Sequence, residues 1–416
     1  MVYLPYLIAI FGVALRLISL DKIAGFDYDQ EVAAVWIKNL LVSHKFSLIG
    51  QEVSIGGIYI APFFYYFLAP VYLIFNMNPI GANYFLVFVS GLTTYSIYLF
   101  GRELFGTKVG LVAAFLYAIH PGLINLDRIV APSNLVVLIS ALAGYFVVKK
   151  NKSLRDYVWL GIVLGATFSV HPPSTLLIPV AFLLLRDRRL LITAVIIFLL
   201  VSPLIFFELR HGGEMTKRIF SMTPGGFNFE KLVSNFNLLS TFWAGIVISS
   251  DQIIIKTASQ LLAVIVWLKT NNKSLLLLLP LLFLLLLVYP GHIPEYYYLA
   301  ITPLALIFTV NFLGKYSGIL VVLGLVIFLA NRNIFAPNHH GLFYKVQTAE
   351  YLTSKSPAKI YYSTDPGQGW GFTYLFWWKK LAVNEGSPNS YQIIIPASRE
   401  EMEGQSFGGI NVAKIN

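Results

Sequence analysis

The stretch LLITAVIIFLLVSPLIFF, residues 190–207, decides the fold class. It carries no charge and is close to the roughly 20 mostly apolar residues that a helix needs to cross a bilayer. The whole chain agrees, because 57% of its 416 residues are hydrophobic and 12% are charged, against about 45–50% and about 25% in soluble domains. These values exclude a water-soluble enzyme, a disordered chain, a coiled coil and collagen. There is no cysteine, which excludes disulfides and thiolate chemistry.

Similar apolar stretches recur along the first 330 residues. They predict an all-α polytopic membrane protein with about eleven transmembrane helices, separated by short loops except at 21–80 and 208–252. The predicted spans are 4–20, 81–100, 109–120, 133–148, 157–170, 174–185, 190–207, 253–268, 275–289, 296–313 and 316–330.

Basic residues are distributed unequally between the loops. The loops 101–108, 149–156, 186–189, 269–274 and 314–315 hold twelve basic and three acidic residues. The opposite loops before residue 331, counted together with Lys256 at the outer end of its span, hold nine basic and eleven acidic residues, a net charge of −2. Short cytoplasmic loops are rich in Lys and Arg, so we expect the N-terminus inside and the C-terminus outside the cytoplasmic membrane. The total charge of +10 is therefore attributed to orientation in the lipid bilayer, and no nucleic-acid partner is expected.

Residues 58–75, IYIAPFFYYFLAPVYLIF, allow two interpretations. The segment is long enough to cross, and charge alone does not forbid that arrangement. Pro62, Pro70 and the aromatic run 63–67 suit a helix that lies in the outer interface. We favour the interfacial placement because it also keeps the polar candidate residues below on one side.

Residues 331–416 form a polar tail after the last predicted span. A helical stretch at 344–354, strands at 359–363 and 392–396, and an aromatic stretch at 370–378 predict a small α/β domain outside the membrane. We therefore divide the chain into a transmembrane catalytic domain, 1–330, and an extracytoplasmic C-terminal domain, 331–416.

The densest acidic cluster is GFDYDQE at 25–31, which contains the acidic triplet Asp27, Asp29 and Glu31. Asp29 could simply cap the helical stretch 31–41 or lie in its first turn. However, three carboxylates in five residues exceed what one cap requires. A general base or a metal-binding carboxylate at the lipid surface is the functional alternative.

Further polar groups lie at the predicted outer ends of the spans. Each could be an ordinary polar helix end, but together they suggest a shared substrate site, in which an arginine could bind a lipid phosphate bidentately. Their separations carry no metal-ligand signature, so a divalent metal is neither implied nor excluded. These candidates are Arg16, Asp127, Arg128, His171, Glu208, Arg210, His211, His292 and Glu295.

The chain resembles the GT-C membrane glycosyltransferases, in particular the protein O-mannosyltransferases and the lipid A aminoarabinose transferase-like proteins. The resemblance covers about the first 310 residues, with the motifs in family order. They are Arg16 at the end of the first span, FDYDQE at 26–31, SIGGIYIAPFFYYFLAP at 54–70, YLFGRELFG at 98–106, LDRIVAPSN at 126–134, FSVHPP at 168–173, FFELRHG at 206–212 and EYYYLAITPLAL at 295–306.

The resemblance implies a GT-C fold and a reaction. A sugar would pass from a polyprenyl-phosphate donor to a hydroxyl of a glycan, lipid or protein acceptor at the outer face, with inversion. The first outer loop would supply the catalytic carboxylate, Asp29 by motif position, with Asp27 or Glu31 as alternatives because Gln30 interrupts the usual Asp-Glu pair. Tyr59, in the motif at 54–70, is a further candidate for substrate binding.

A flippase or transporter for lipid-linked sugars is the alternative function. No Asp, Glu, Lys or His lies in the middle of a predicted span, whereas transporters place ionisable groups near the midplane. This pattern favours the enzyme. A non-catalytic scaffold whose tail binds partners is a third interpretation.

Overall fold

The computed structural model describes residues 2–221, 229–248, 253–270, 273–289, 293–400 and 402–415. It confirms a mostly helical chain with a small C-terminal sheet. The helices before residue 331 are α1 (Leu4–Leu17), α2 (Leu20–Ile23), α3 (Tyr28–Leu41), α4 (Phe63–Ile74), α5 (Ile80–Phe105), α6 (Thr107–Ile119), α7 (Pro121–Leu126), α8 (Val136–Val148), α9 (Leu154–Ala166), α10 (Leu177–Leu185), α11 (Leu190–Arg210), α12 (Glu214–Ser221), α13 (Phe229–Val247), α14 (Ile253–Lys269), α15 (Leu278–Val288), α16 (Thr302–Leu313) and α17 (Ser317–Ala330).

Each predicted span coincides with one of these helices. Short 3₁₀ helices precede α8, α10, α15 and α16, at Pro132–Leu135, Pro172–Leu176, Lys273–Leu277 and Glu295–Ile301. Among the described residues, three helical runs are long and apolar enough to cross a membrane: Ile80–Phe105, Leu190–Arg210 and Tyr296–Ala330. The number of crossings and their direction stay predictions.

The interpretation of 208–252 as one large loop is wrong. This region contains α12 and the 19-residue helix α13, which packs against α14, α15 and α16. The sequence did not predict α13, because polar residues interrupt its apolar face. Two of these polar residues, Asn235 and Ser240, are buried in the structure. The indole of Trp243 donates a 3.2 Å hydrogen bond to Thr309 Oγ1 on α16.

Helix α4 carries the segment whose placement the sequence left open. Its 12 residues make it about 18 Å long at 1.5 Å per residue, shorter than the roughly 30 Å hydrocarbon core. It packs against α3 and α5. An isolated bridge between Glu52 and Tyr59 precedes it. Helices of the predicted spans such as α10 and α16, with 9 and 12 residues, are no longer than α4, so the interfacial placement of α4 stays a prediction.

Residues 331–416 contain α18 (Leu342–Thr353), α19 (Phe372–Lys379), β1 (Lys359–Thr364), β2 (Ser390–Ile395), β3 (Gly404–Phe407) and β4 (Ile410–Ile415). The sheet order is β1-β2-β4-β3. Strands β1 and β2 are parallel and are connected through α19, whereas β4 is antiparallel to both neighbours. The predicted helix and two strands are confirmed, and β3 and β4 are additional.

The C-terminal sheet shares a hydrophobic core with the first loop. Ile393 and Val412 of the sheet belong to the same buried cluster as Phe26, Ala34 of α3 and Tyr65 of α4. A second large cluster joins the bundle helices from α5 to α16. The C-terminal residues are therefore packed directly onto the elements that carry the acidic triplet.

Candidate active site

A main cavity of about 850 Å³ lies beside the first turn of α3. The loop 51–60, the 3₁₀ helices at Pro132–Leu135 and Pro172–Leu176, the end of α15 and Ile219 of α12 complete its wall. Much of the lining is apolar. Its polar members are Tyr28, Asp29, Gln51, Glu52, Ser54, Ser133, Asn134, His171, Thr175, Tyr289, Tyr296 and Tyr297.

Asp29 is the member of the acidic triplet that lines this cavity. Burial raises the pKa of its carboxyl above the ordinary value, and a hydrogen bond with Gln51 partly opposes that shift. The hydroxyl of Tyr65 donates a 2.8 Å hydrogen bond to Gln51 Oε1, which leaves the amide nitrogen to face Asp29. A half-buried carboxylate beside open space can accept a proton from a bound molecule.

Asp27 has a different environment. It is the N-cap of α3, where its backbone NH donates to Gln30 Oε1 at 2.9 Å in a capping box. Its Oδ1 lies 2.7 Å from Lys345 Nζ, which is completely buried, while the side chain of Asp27 is 54% exposed. Asp27 therefore combines helix capping with an ion pair to the C-terminal domain, outside the cavity lining.

Glu31 is buried and its two oxygens are occupied. The backbone NH groups of Gly371 and Tyr374 donate to the carboxylate at 2.7 Å and 2.8 Å. A carboxylate at the first turn of α19 also interacts favourably with the helix dipole. Glu31 thus binds the N-terminus of α19 and does not line the main cavity.

The predicted substrate contacts Arg16 and Asp127 form a buried ion pair. Arg16 Nε lies 2.7 Å from Asp127 Oδ2, and the Tyr117 hydroxyl donates to the same carboxylate at 2.9 Å. Arg16 Nη1 also donates to the carbonyl oxygens of Gly12 and Ala118 at 3.0 Å. This network ties α1 to α6 and to the residue that follows α7, and neither partner lines the main cavity.

Arg128 is likewise buried and bound to backbone. Its guanidinium donates to the carbonyl oxygens of Arg16 at 3.0 Å, Leu15 at 2.9 Å and Ile334 at 2.7 Å. It therefore caps the C-terminal end of α1, where cations are favourable. In this arrangement its donors do not face the main cavity.

His171 does lie in the cavity wall. It follows the 3₁₀ helix Thr167–Ser169, and its ring packs edge-to-face against Tyr296 and Tyr297, with centroids 5.5 Å and 4.7 Å apart. Burial lowers the pKa of His171 to about 4. The imidazole is therefore neutral at pH 7.

The remaining candidates surround the end of α11. The Tyr59 ring packs edge-on against the Phe207 ring and does not line the main cavity. The exposed His211 ring stacks on the Phe207 ring, with centroids 4.1 Å apart. Glu208 accepts hydrogen bonds from the backbone NH groups of Met215 and Thr216 and so caps α12. Arg210 is exposed beside them.

Two predicted residues cannot be placed. His292 and the side chain of Glu295 lie outside the described residues. Within the described ranges, no three His, Asp or Glu side chains come together as metal ligands.

Arg218 on α12 was missed by the sequence analysis. Gly57 adopts a φ of +79°, and a Cβ at that position would lie 2.9 Å from Arg218 Cδ and Nη1. The arginine therefore rests on the glycine backbone of the loop that walls the cavity. The GG dipeptide at 56–57 was the sequence signal for a close approach, but nothing local identified the approaching side chain.

A second cavity of about 520 Å³ shares Leu126 and Tyr296 with the main cavity. His120 and Lys256 are among its lining residues. The two spaces are therefore separated by common wall residues.

The comparisons with known proteins concern the family and the fold. Residues 60–208 match the family model described as dolichyl-phosphate-mannose-protein mannosyltransferase. The fold is similar to that of ArnT from Cupriavidus metallidurans in the apo state, with a TM-score of 0.63, and bound to undecaprenyl phosphate, with a TM-score of 0.61. Identity is 11% in both cases, over 98% of this chain and 97% of the other. No curated protein sequence matches the chain. The GT-C resemblance is confirmed. At 11% identity, the structural similarity shows only that the folds are alike.

Proposed function

We propose that this chain, a membrane protein with a GT-C-like fold, transfers a sugar from a polyprenyl-phosphate-linked donor to an acceptor hydroxyl at the outer face of the cytoplasmic membrane. The observation that carries the proposal is the position of Asp29, which alone of the acidic triplet lines the main cavity. The undecaprenyl phosphate bound to the similarly folded ArnT supports a lipid-linked donor.

Asp29 is the proposed general base. With its carboxylate about 3 Å from the acceptor hydroxyl, it takes the hydroxyl proton while the oxygen attacks C1 of the donor sugar. The bond between C1 and the phosphate oxygen breaks, and its electron pair leaves on the lipid phosphate. Attack opposite the leaving group inverts the configuration at C1.

Arg218 is the proposed partner of the leaving phosphate. No lysine or arginine lines the main cavity within the described ranges, and Arg16 and Arg128 are bound elsewhere. Arg218 is exposed and rests on Gly57, which belongs to the loop 51–60 whose neighbouring residues Ile55 and Ile58 line the cavity. A guanidinium can bind phosphate bidentately and stabilise the charge that develops on it.

The two adjoining cavities suit a reaction with two substrates. The main cavity contains Asp29 and combines apolar walls with polar groups, as expected of a place where a prenyl-linked sugar meets a hydroxyl. We assign the sugar and the acceptor hydroxyl to the main cavity. The second cavity is then available for the remainder of one of the two substrates.

The first prediction tests Asp29. Asp29→Asn keeps the shape and removes the proton acceptor, so sugar transfer should fall by roughly 10²–10⁴-fold. The assay follows release of free polyprenyl phosphate from native membrane lipids by mass spectrometry, using the purified full-length chain. Asp21→Asn is the matched control, because Asp21 is an exposed acid of the same loop outside the cavity lining.

Two results would contradict the proposal. If Asp29→Asn releases polyprenyl phosphate as fast as the unmodified chain, the carboxylate is not the base. If the unmodified chain moves lipid-linked sugars across vesicles without releasing polyprenyl phosphate, the flippase alternative is correct.

A further inference from the structure

We infer that the C-terminal domain contributes to the active site by holding Asp29 in place. Lys345 of this domain and Glu31 of α3, which binds to it, act as the positioning residues. This inference rests on the proposed function, because it assigns a role to the surroundings of the proposed base. Asp27 and Glu31 lie two residues before and two residues after Asp29, and the C-terminal domain binds both.

Lys345 makes the first connection. Its side chain is completely buried, and its ammonium donates to Asp27 Oδ1 at 2.7 Å, to the carbonyl of Phe26 at 2.9 Å and to the carbonyl of Trp370 at 2.7 Å. All three donors of the ammonium are used. Two of these acceptors belong to the loop before α3, and the third belongs to the loop before α19.

Glu31 makes the second connection in the opposite direction. Its buried carboxylate accepts from the NH groups of Gly371 and Tyr374. Gly371 has a φ of +97°, and a Cβ there would clash with the Phe26 carbonyl oxygen. The two backbones therefore touch, and only glycine fits between them.

The same loop before α19 reaches the rim of the main cavity. The ring of Trp370 packs edge-on against that of Tyr28, 4.9 Å away, and Tyr28 lines the cavity beside Asp29. Farther back, the NH groups of Asn338 and Leu342 donate to the carbonyls of Lys22 and Ala24. The segment 22–31 is thus attached to the C-terminal domain along its length.

A base must be held closely to be effective. A misplacement of about 1 Å can reduce a rate by about 10²-fold, and a site needs surrounding groups that fix its geometry. The first turn of α3 is held locally by the Asp27–Gln30 capping box and by the Gln30 amide, which donates to the Val130 carbonyl at 2.8 Å. The ties to Lys345 and α19 add a constraint on each side of Asp29.

The test compares Lys345→Met, Glu31→Leu and Glu31→Gln in the full-length chain, with polyprenyl phosphate release from native membrane lipids as the assay. Lys345→Met and Glu31→Leu should lower kcat by about 10²-fold while the donor KM changes little, because the donor contacts are elsewhere. Glu31→Gln keeps one acceptor oxygen for α19 but turns its amide NH2 towards the second backbone NH, so its activity should lie between those of Glu31→Leu and the unmodified chain. A base at position 31 would not tolerate this change.

Matched controls come from an ion pair inside the same domain. Lys379 Nζ lies 2.6 Å from Glu350 Oε1. The pair joins the same two helices, α19 and α18, at positions five residues from Tyr374 and Lys345. Lys379→Met and Glu350→Gln should leave kcat unchanged. Thermal unfolding of each variant in detergent identifies any that fails to fold, and the Glu31→Gln comparison then decides.

Each outcome is decisive. Wild-type kcat in Lys345→Met and Glu31→Leu, with Asp29→Asn inactive, overturns the positioning role and leaves the proposed function intact. Loss of activity in Glu31→Gln equal to that in Asp29→Asn also overturns it, because Glu31 would then act as a base itself. Full activity in Asp29→Asn overturns the proposed function as well.

Discussion

At the scale of single residues, the acidic triplet shows how three nearby carboxylates acquire three roles. Asp27 is exposed and ion-paired, Glu31 is buried and saturated by backbone NH groups, and Asp29 faces open space. The chemical difference between them lies in what each oxygen can still accept. If Asp29 is the base as proposed, its proton affinity matters to the substrate, and the hydrogen bond with Gln51 lowers its pKa against the effect of burial.

Gln51→Leu should shift the pH dependence of transfer. The base must be deprotonated to work, and burial already raises the pKa of Asp29. Removing the hydrogen bond that lowers this pKa should raise it further, so the acid limb of kcat/KM should move to higher pH while the rate on the alkaline plateau is kept. A pH–rate profile measures the shift. An acid limb that stays in place or moves to lower pH would show that Gln51 does not act on the base.

At the scale of secondary-structure elements, two arginines have different tasks: one stabilises the packing of helices, and the other is the proposed contact of the leaving phosphate. Arg128 ties the end of α1 to the chain beyond α17 through backbone carbonyls, whereas Arg218 projects from α12 over Gly57. Both are arginines in polar segments next to apolar helices. Only their partners in space distinguish a helix cap from a phosphate contact.

Arg128→Lys should therefore change the thermal stability, whereas Arg218→Gln should change the donor KM. A lysine cannot reproduce the fork of bonds to several carbonyls, and each lost bond to a charged donor costs roughly 1.5–3 kcal/mol, so Arg128→Lys should lower the melting temperature and leave the donor KM unchanged. Arg218→Gln should raise the donor KM with little effect on melting. Thermal unfolding and steady-state kinetics on both variants test this pair. The reverse pattern would place the phosphate at Arg128.

The elements also show what the sequence could and could not predict. Long apolar runs such as 190–207 predict helices because a bilayer admits little else. Helix α13 was missed because Asn235 and Ser240 are buried, and short β3 was missed because its residues are mostly exposed. At the site, the motif predicted Asp29 as the base, and Asp29 is the member of the acidic triplet that lines the main cavity. The role of Glu31 depends on Gly371 and Tyr374, for which no local signal exists.

At the scale of the whole molecule, the charge asymmetry between the loops and the shared hydrophobic core together constrain the orientation of the chain in the membrane. The C-terminal domain packs onto α3 and α4, so the acidic triplet and this domain must be on the same side of the membrane. Basic loops such as 149–156 lie at the opposite ends of the bundle helices in the predicted topology. The orientation of one part therefore fixes that of the other.

Single cysteines test this orientation in a chain that has none. Glu385→Cys, in the exposed part of the C-terminal domain, should react with a membrane-impermeant maleimide in intact cells, whereas Asn151→Cys should react only after the membrane is opened. Both positions are exposed, so the difference reports the side of the membrane. If only Asn151→Cys is labelled in intact cells, the predicted topology is wrong and the chain has the inverse orientation.

The contact between Phe26 and Lys345 has a consequence for biosynthesis, because 319 positions separate the two residues. At about 5–20 residues per second, a ribosome needs roughly 15–60 s to make the intervening chain. During that interval the acidic loop has already emerged, but its clamp has not been synthesised. If the C-terminal domain positions the base as proposed, the newborn protein becomes competent for transfer only when residues 331–416 have been made and folded. A chain terminated before that domain would then be inert rather than an uncontrolled transferase.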